Sequence, residues 1–349
     1  MIRCGVIWLY LYNLDKFKQF FNELSKRYDL TIYYEIGDNI DYNDFPLIKF
    51  VQVKQVTYPP ILCVLERIYN HYKAMKDNVD FILIFSKGMH EIITFCLKYM
   101  IGVPIILRLR GNHLREFEKR KANIIKRFFV RKGLRFIWSK FDLIIPISDK
   151  LKDEYREKYN LNNLTESIYN GIESSLFDDN KTNGRKLVFG YLGRMMPEKN
   201  PETLIKIFNE CKNIKFIVAS KNEGNYKFPE NVEYVGWINR KRLSKEVYNK
   251  CDYILIPSDY ETQCMVVLEA YLTNTSIIIN RLALPYDIFI HGYIMNHNID
   301  EWIKLIKKIH RENIKVDSNV REIIMKQFDW VICVDKFQKL INDKLIEVK

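Results

Sequence analysis

No stretch of the 349-residue chain approaches eighteen consecutive apolar residues, the length a helix needs to cross a bilayer. A membrane-spanning helix is therefore not expected. Seven cysteines (Cys4, Cys63, Cys96, Cys211, Cys251, Cys264 and Cys333) are scattered, odd in number and nowhere in a C-x-x-C spacing. That argues against a disulfide framework or a zinc site and for a reducing, cytoplasmic compartment. Residues 1–17 lack a small-residue cleavage pattern and run into an amphipathic segment, so they read as a first strand rather than a signal peptide. There is no low-complexity tract and no short-period repeat, which excludes a solenoid.

What is present is a globular composition, 48% hydrophobic and 14% aromatic, in a chain long enough for two domains of ordinary size. The formal net charge of +12 implies attraction to something anionic: nucleic acid, a lipid surface or a phosphorylated small molecule. Charge alone does not choose among these.

Short apolar runs alternate with longer mixed segments. Residues 4–9, 30–34, 81–85, 104–109 and 143–147 read as strands, and 14–28, 64–76 and 90–100 as helices. The alternation indicates a parallel sheet of the α/β class. It restarts near residue 187, after a polar, turn-rich stretch. Strands are then expected at 187–192, 214–219, 232–235, 253–257 and 276–280, with helices at 201–211, 240–250 and 265–272. Residues 319–349 read as helices, interrupted at Phe328-Asp329-Trp330. The resulting boundaries are a first domain over 1–167, a linker over 168–186, a second domain over 187–328 and a last helix over 329–349.

Two loops of the second domain carry candidate chemistry. Gly193-Arg194-Met195-Met196-Pro197-Glu198-Lys199 follows a strand and precedes a helix. Its glycine permits close approach of backbone to ligand, and a guanidinium and an ammonium on one such loop suit a diphosphate. An exposed basic turn is the plainer alternative. Residues 251–272 read as strand, loop and helix, with Glu261 in the loop, Glu269 near the helix start, and seven residues between them. In open α/β sheets ligands bind beyond the carboxyl ends of the strands. Both glutamates border that edge, although taken alone they also read as solvated surface acids.

In order, Asn170-Gly171-Ile172, Gly193-Arg194, Glu198-Lys199-Asn200-Pro201, Val235-Gly236-Trp237, Pro257-Ser258, Glu261 and Glu269-Ala270 resemble glycosyltransferase family 4, over roughly residues 143–284. The resemblance implies a retaining hexosyltransferase of GT-B fold, with two Rossmann-like domains with parallel sheets facing a central cleft and the last helix crossing back to the first domain. It further implies that Arg194 and Lys199 bind the diphosphate of a nucleotide sugar, with Gly193 beside them. Glu261 is placed near the donor sugar and Glu269 on the ribose hydroxyls, and the backbone of Thr262, Gln263 and Cys264 meets the phosphates. His113, in the loop after Arg108-Leu109-Arg110, resembles the histidine that faces the donor sugar. No D-x-D triplet occurs, which suits a GT-B enzyme with no bound metal and no cofactor beyond its donor. The chain departs from the pattern where the glycines usual after the first strand, after Ile217-Val218 and between the two glutamates are replaced.

Residues 115–140 hold ten Lys or Arg against two Glu, interleaved with aromatic and aliphatic residues. That suits a helix lying on anionic lipid, which fits a lipid-linked or cell-surface glycan acceptor and a peripheral membrane position. A domain helix with a solvated basic face is an equal reading. Two further functions stay open: a GT-B-like protein that binds nucleotide sugar without catalysis, and a basic nucleic-acid-binding protein. No recognisable nucleic-acid module supports the second, so nucleic acid is not the expected partner.

Overall fold

The computed structural model describes residues 1–8, 14–37, 41–54, 60–85, 89–111, 124–181, 186–315 and 320–346. It divides into two compact units, Met1–Gly171 with Trp330–Lys349, and Ile172–Asp329.

The first unit holds six parallel strands: β1 (Arg3–Ile7), β2 (Asp29–Tyr34), β3 (Lys49–Gln52), β4 (Phe81–Phe85), β5 (Ile105–Leu109) and β6 (Leu143–Pro146). They lie in the order β3-β2-β1-β4-β5-β6. Runs such as Phe81-Ile82-Leu83-Ile84-Phe85 are buried throughout, because helices cover both faces of a parallel sheet. Alternate side chains feed two cores. Val6, Leu83 and Ile145 pack with Phe20, Phe21 and the helix Trp330–Ile341, while Ile7, Ile82 and Ile144 pack with Trp138, Tyr155 and Tyr159.

The second unit repeats the plan with β7 (Val188–Leu192), β8 (Lys215–Ala219), β9 (Val232–Gly236), β10 (Tyr253–Ile256), β11 (Ser276–Asn280) and β12 (Tyr293–Met295). Their order is β12-β11-β10-β7-β8-β9. In both sheets the first strand of the unit lies in the interior and the order reverses beside it, which is the Rossmann arrangement. The expected fold class, two parallel Rossmann-like sheets, is therefore the one observed. In the second unit the point of reversal lies between β7 and β10, so the loops after these two strands open next to each other.

Several elements were not expected from sequence. β3 and β12 are short edge strands of four and three residues that are at most partly buried, too short to stand out as apolar runs. The helix Asp149–Tyr159 is strongly polar, and it is started by Ser148, whose Oγ accepts from the Leu151 N–H at 3.2 Å. The helix Ile299–Glu312 buries Trp302, Ile306 and Ile309, a helical spacing that was present in the sequence. The segment expected as one helix from residue 14 begins as a 3-10 turn, Leu14–Phe17, before the helix Lys18–Ser25.

Where the chain leaves the first unit, the buried Arg108 guanidinium lies between the rings of Phe20 and Phe337. Its Nη2 donates to the carbonyls of Ile168 and Tyr169 and to Asn170 Oδ1, at 3.0–3.2 Å. At Gly171 an added Cβ would lie 2.6 Å from Trp330 Cα. The outgoing and returning chain thus meet in backbone contact, and only glycine leaves room.

Candidate active site

Gly193 follows β7 at φ +147°, a backbone conformation that side chains rarely adopt. The Tyr191 hydroxyl donates to the Arg194 carbonyl at 2.8 Å, which turns the loop back over its own strand. A 3-10 turn, Pro197–Lys199, and Asn200 in the left-handed region lead into the helix Pro201–Glu210. After β10 the Asp259 N–H donates to the Glu198 carbonyl at 3.0 Å, so the two loops are joined through the backbone. Lys199 Nζ then reaches Glu261 Oε1 at 2.5 Å, and Ser258 Oγ donates to the same oxygen at 3.0 Å. Both side chains keep some contact with solvent, 21% for Lys199 and 16% for Glu261.

Cys264 ends this loop at φ +56°, where glycine would cost nothing and a thiol-bearing residue costs about 1 kcal/mol. Burial pushes its thiol well above the ordinary range, so it stays protonated. Gln263 is buried, and Thr262 is half-buried.

Glu269 is not a surface acid. The helix Met265–Leu272 is buried along most of its length, and Glu269 with it. The Tyr248 hydroxyl donates to Glu269 Oε2 at 2.7 Å, and Arg240 Nη2 lies 3.3 Å from Oε1. Burial raises the carboxyl's pKa, while Arg240 and then Tyr248 pull it down.

The structure thus brings Lys199, Glu261 and Ser258 into one contact and gives Glu269 a separate pair of partners. Arg194 joins neither group. It is exposed, with Nη2 3.4 Å from Glu198 Oε1. His113 lies outside the described residues, as do residues 9–13 after β1. Beyond β9, Trp237 is exposed, with Lys221 Nζ 5.4 Å from its ring centre. Sequence reasoning missed Arg240 and Tyr248 as neighbours of Glu269, because each follows another part of the sheet and no spacing relates them. Ser258 stood in a recognised pair of residues, but nothing in the sequence aimed its hydroxyl at Glu261.

Residues 173–326, most of the second unit, match the family of glycosyl transferases group 1. The chain is 24% identical, over 92% of each sequence, to an uncharacterized glycosyltransferase of Methanocaldococcus jannaschii. It is 23% identical to the processive diacylglycerol alpha-glucosyltransferase of Acholeplasma laidlawii, over 71% of this chain and 81% of that one. Among solved structures, sucrose-phosphate synthase from Thermosynechococcus elongatus covers all of both chains at 15% identity and a TM-score of 0.79. Anabaena HepE, solved with UDP and glucose, covers 98% of this chain and all of its own at 13% identity and a TM-score of 0.76.

Proposed function

We infer that this chain, a glycosyltransferase of GT-B fold, moves a sugar from a nucleotide-sugar donor to an acceptor with retention of anomeric configuration. The observation that carries the reading is the Lys199–Glu261 contact at the point where the strand order reverses. An ammonium there meets the diphosphate and stabilises the charge that builds as it departs, and Arg194 supplies a second cation from the same loop. Glu261 orients the donor sugar, Glu269 holds the ribose, and His113 takes a sugar hydroxyl. No side chain need attack the anomeric carbon, since the departing phosphate can take the acceptor's proton; the protein contributes position and charge.

The test is release of free nucleoside diphosphate from UDP-, GDP- or ADP-sugars incubated with the chain and acceptor. The expected result is stoichiometric diphosphate and glycosylated product from one donor series. Binding of a donor without release from any series would replace the enzyme reading by that of a nucleotide-sugar-binding protein. UDP is the first nucleotide to try, because HepE was solved with it.

For the acceptor we favour a lipid-linked molecule at an anionic surface. Phe95 stacks edgewise with Tyr99 and lies 5.8 Å from Phe136, so the helices Met89–Ile101 and Ile124–Trp138 share an aromatic strip. Tyr99 and Phe136 are exposed on it, the exposed Lys132 and Arg135 line one hollow with Phe136, and Lys140 Nζ lies 5.6 Å from its ring centre. Apolar rings flanked by cations suit a headgroup layer, and the Acholeplasma relative is named for a diacylglycerol acceptor. The chain is expected to sediment with vesicles containing phosphatidylglycerol and not with phosphatidylcholine alone. Phe136→Ser combined with Lys132→Glu should release it. Equal recovery of wild type and variant would count against this surface.

A further inference from the structure

The buried Glu269 carboxylate is served by groups from two other segments. Tyr248 comes from the 3-10 turn Tyr248–Lys250, and Arg240 begins the helix Arg240–Glu246, whose start is capped by Asn239. The Arg240 guanidinium lies 5.9 Å from the Phe177 ring centre and is one-third exposed. Its Nε and Nη2 are buried and make no hydrogen bond of good geometry among the described residues. Arg240 therefore faces Glu269 as a charge rather than as a fixed fork of donors. A carboxylate offers about four acceptor positions, and Tyr248 occupies one.

We propose that Arg240 and Tyr248 are positioning residues for nucleotide binding, holding the Glu269 carboxylate as an oriented anion whose remaining lone pairs accept the two ribose hydroxyls. The inference rests on the reading of Glu269 as the ribose ligand. Among the described residues, Arg240, Tyr248 and the protonated Cys264 at the cap of its own helix face or neighbour Glu269. Arg321 is directed elsewhere, donating to the carbonyls of Phe177 and Leu272. Arg240 is thus the cation that counters the cost of keeping this carboxylate charged out of water.

The experiment is calorimetric titration with whichever of UDP, GDP and ADP binds tightest, across about pH 7 to 9.5, a range that keeps the diphosphate ionised. Burial leaves the wild-type carboxyl raised even beside Arg240 and Tyr248, so wild-type affinity is expected to vary less with pH than that of either variant lacking one of them. In Arg240→Met the Glu269 carboxyl loses the cation that offsets its burial and its pKa rises further, and each pH unit by which a pKa passes the assay pH costs about tenfold in the ionised fraction. Affinity should therefore fall by tenfold or more at the acid end and recover as pH rises. Arg240→Lys should restore most of the neutral-pH affinity, and Tyr248→Phe should show a smaller loss of the same shape. Glu269→Gln should bind weakly at every pH.

If no nucleoside diphosphate binds wild type, or if Glu269→Gln binds like wild type, the ribose reading fails and takes this proposal with it. If Glu269→Gln is weak while Arg240→Met matches wild type across the pH range, only the positioning role is overturned. A uniform, pH-independent loss in Arg240→Met also overturns it, since that is what a merely structural ion pair gives. Should Arg240→Met fail to fold, the pH profiles of Arg240→Lys and Tyr248→Phe decide, and flat profiles at wild-type affinity in both reject the proposal.

Discussion

Lys199→Met is expected to lower kcat/KM for sugar transfer by about 10²–10³-fold, the range seen when one preorganised donor to a developing anion is removed, and Glu261→Gln by about 10²-fold, the scale of a mispositioned substrate. The two losses should differ in kind. Lys199 is assigned to the diphosphate, so its replacement should weaken binding of free nucleoside diphosphate as well as slow turnover. Glu261 is assigned to the sugar, so its replacement should leave diphosphate affinity close to wild type and act on kcat. Neither should unfold the chain. Both side chains retain solvent contact, and in Lys199→Met the Glu261 carboxylate keeps the Ser258 hydroxyl. Initial rates, diphosphate titration and thermal unfolding on the same preparations check all three parts. Full activity in both variants would remove the mechanism proposed for this site.

Trp330→Ala is expected to destabilise the first unit by about 3–5 kcal/mol, the cost of truncating a large buried aromatic. Trp330 begins the returning helix, is buried, and meets Phe20 at a ring separation of 5.6 Å. Its loss empties the space against which Gly171 packs and loosens the attachment of Val334, Phe337 and Ile341 to the first core. The converse change, Gly171→Ala, forces a methyl against the Trp330 backbone and is expected to cost about 1–3 kcal/mol by overpacking. Unfolding followed by hydrogen exchange should show the loss in strands β1, β4 and β5 and little change in β7, β10 and β11. An equal loss in both sheets would mean that the returning helix is not held in this way.

The fold class was legible because central strands of a parallel sheet are buried on both faces and so read as unbroken apolar runs, as in β4 and β11. Edge strands β3 and β12, partly exposed and only four and three residues long, were too short to give such a signal. The helix Ile299–Glu312 is legible in principle from Trp302, Ile306 and Ile309, which stand at helical spacing. The polar helix Asp149–Tyr159 announced itself only through its Ser148 cap.

The candidate site divides along the same line. Residue types and their order along the chain singled out Lys199, Glu261 and Glu269, since each stands in a strand-to-helix loop or early in the helix that follows it. The sequence by itself could also say that a carboxylate pair and a basic loop belong to one sheet edge. It could not say that Lys199 meets Glu261 while Arg194 turns to Glu198, nor that Glu269 is buried against Arg240 and Tyr248. Periodicity and spacing report only on neighbours along the chain. Strand order sets β7 beside β10 and leaves their loops side by side, and burial then selects which charges must pair, so those contacts were decided by the tertiary structure alone.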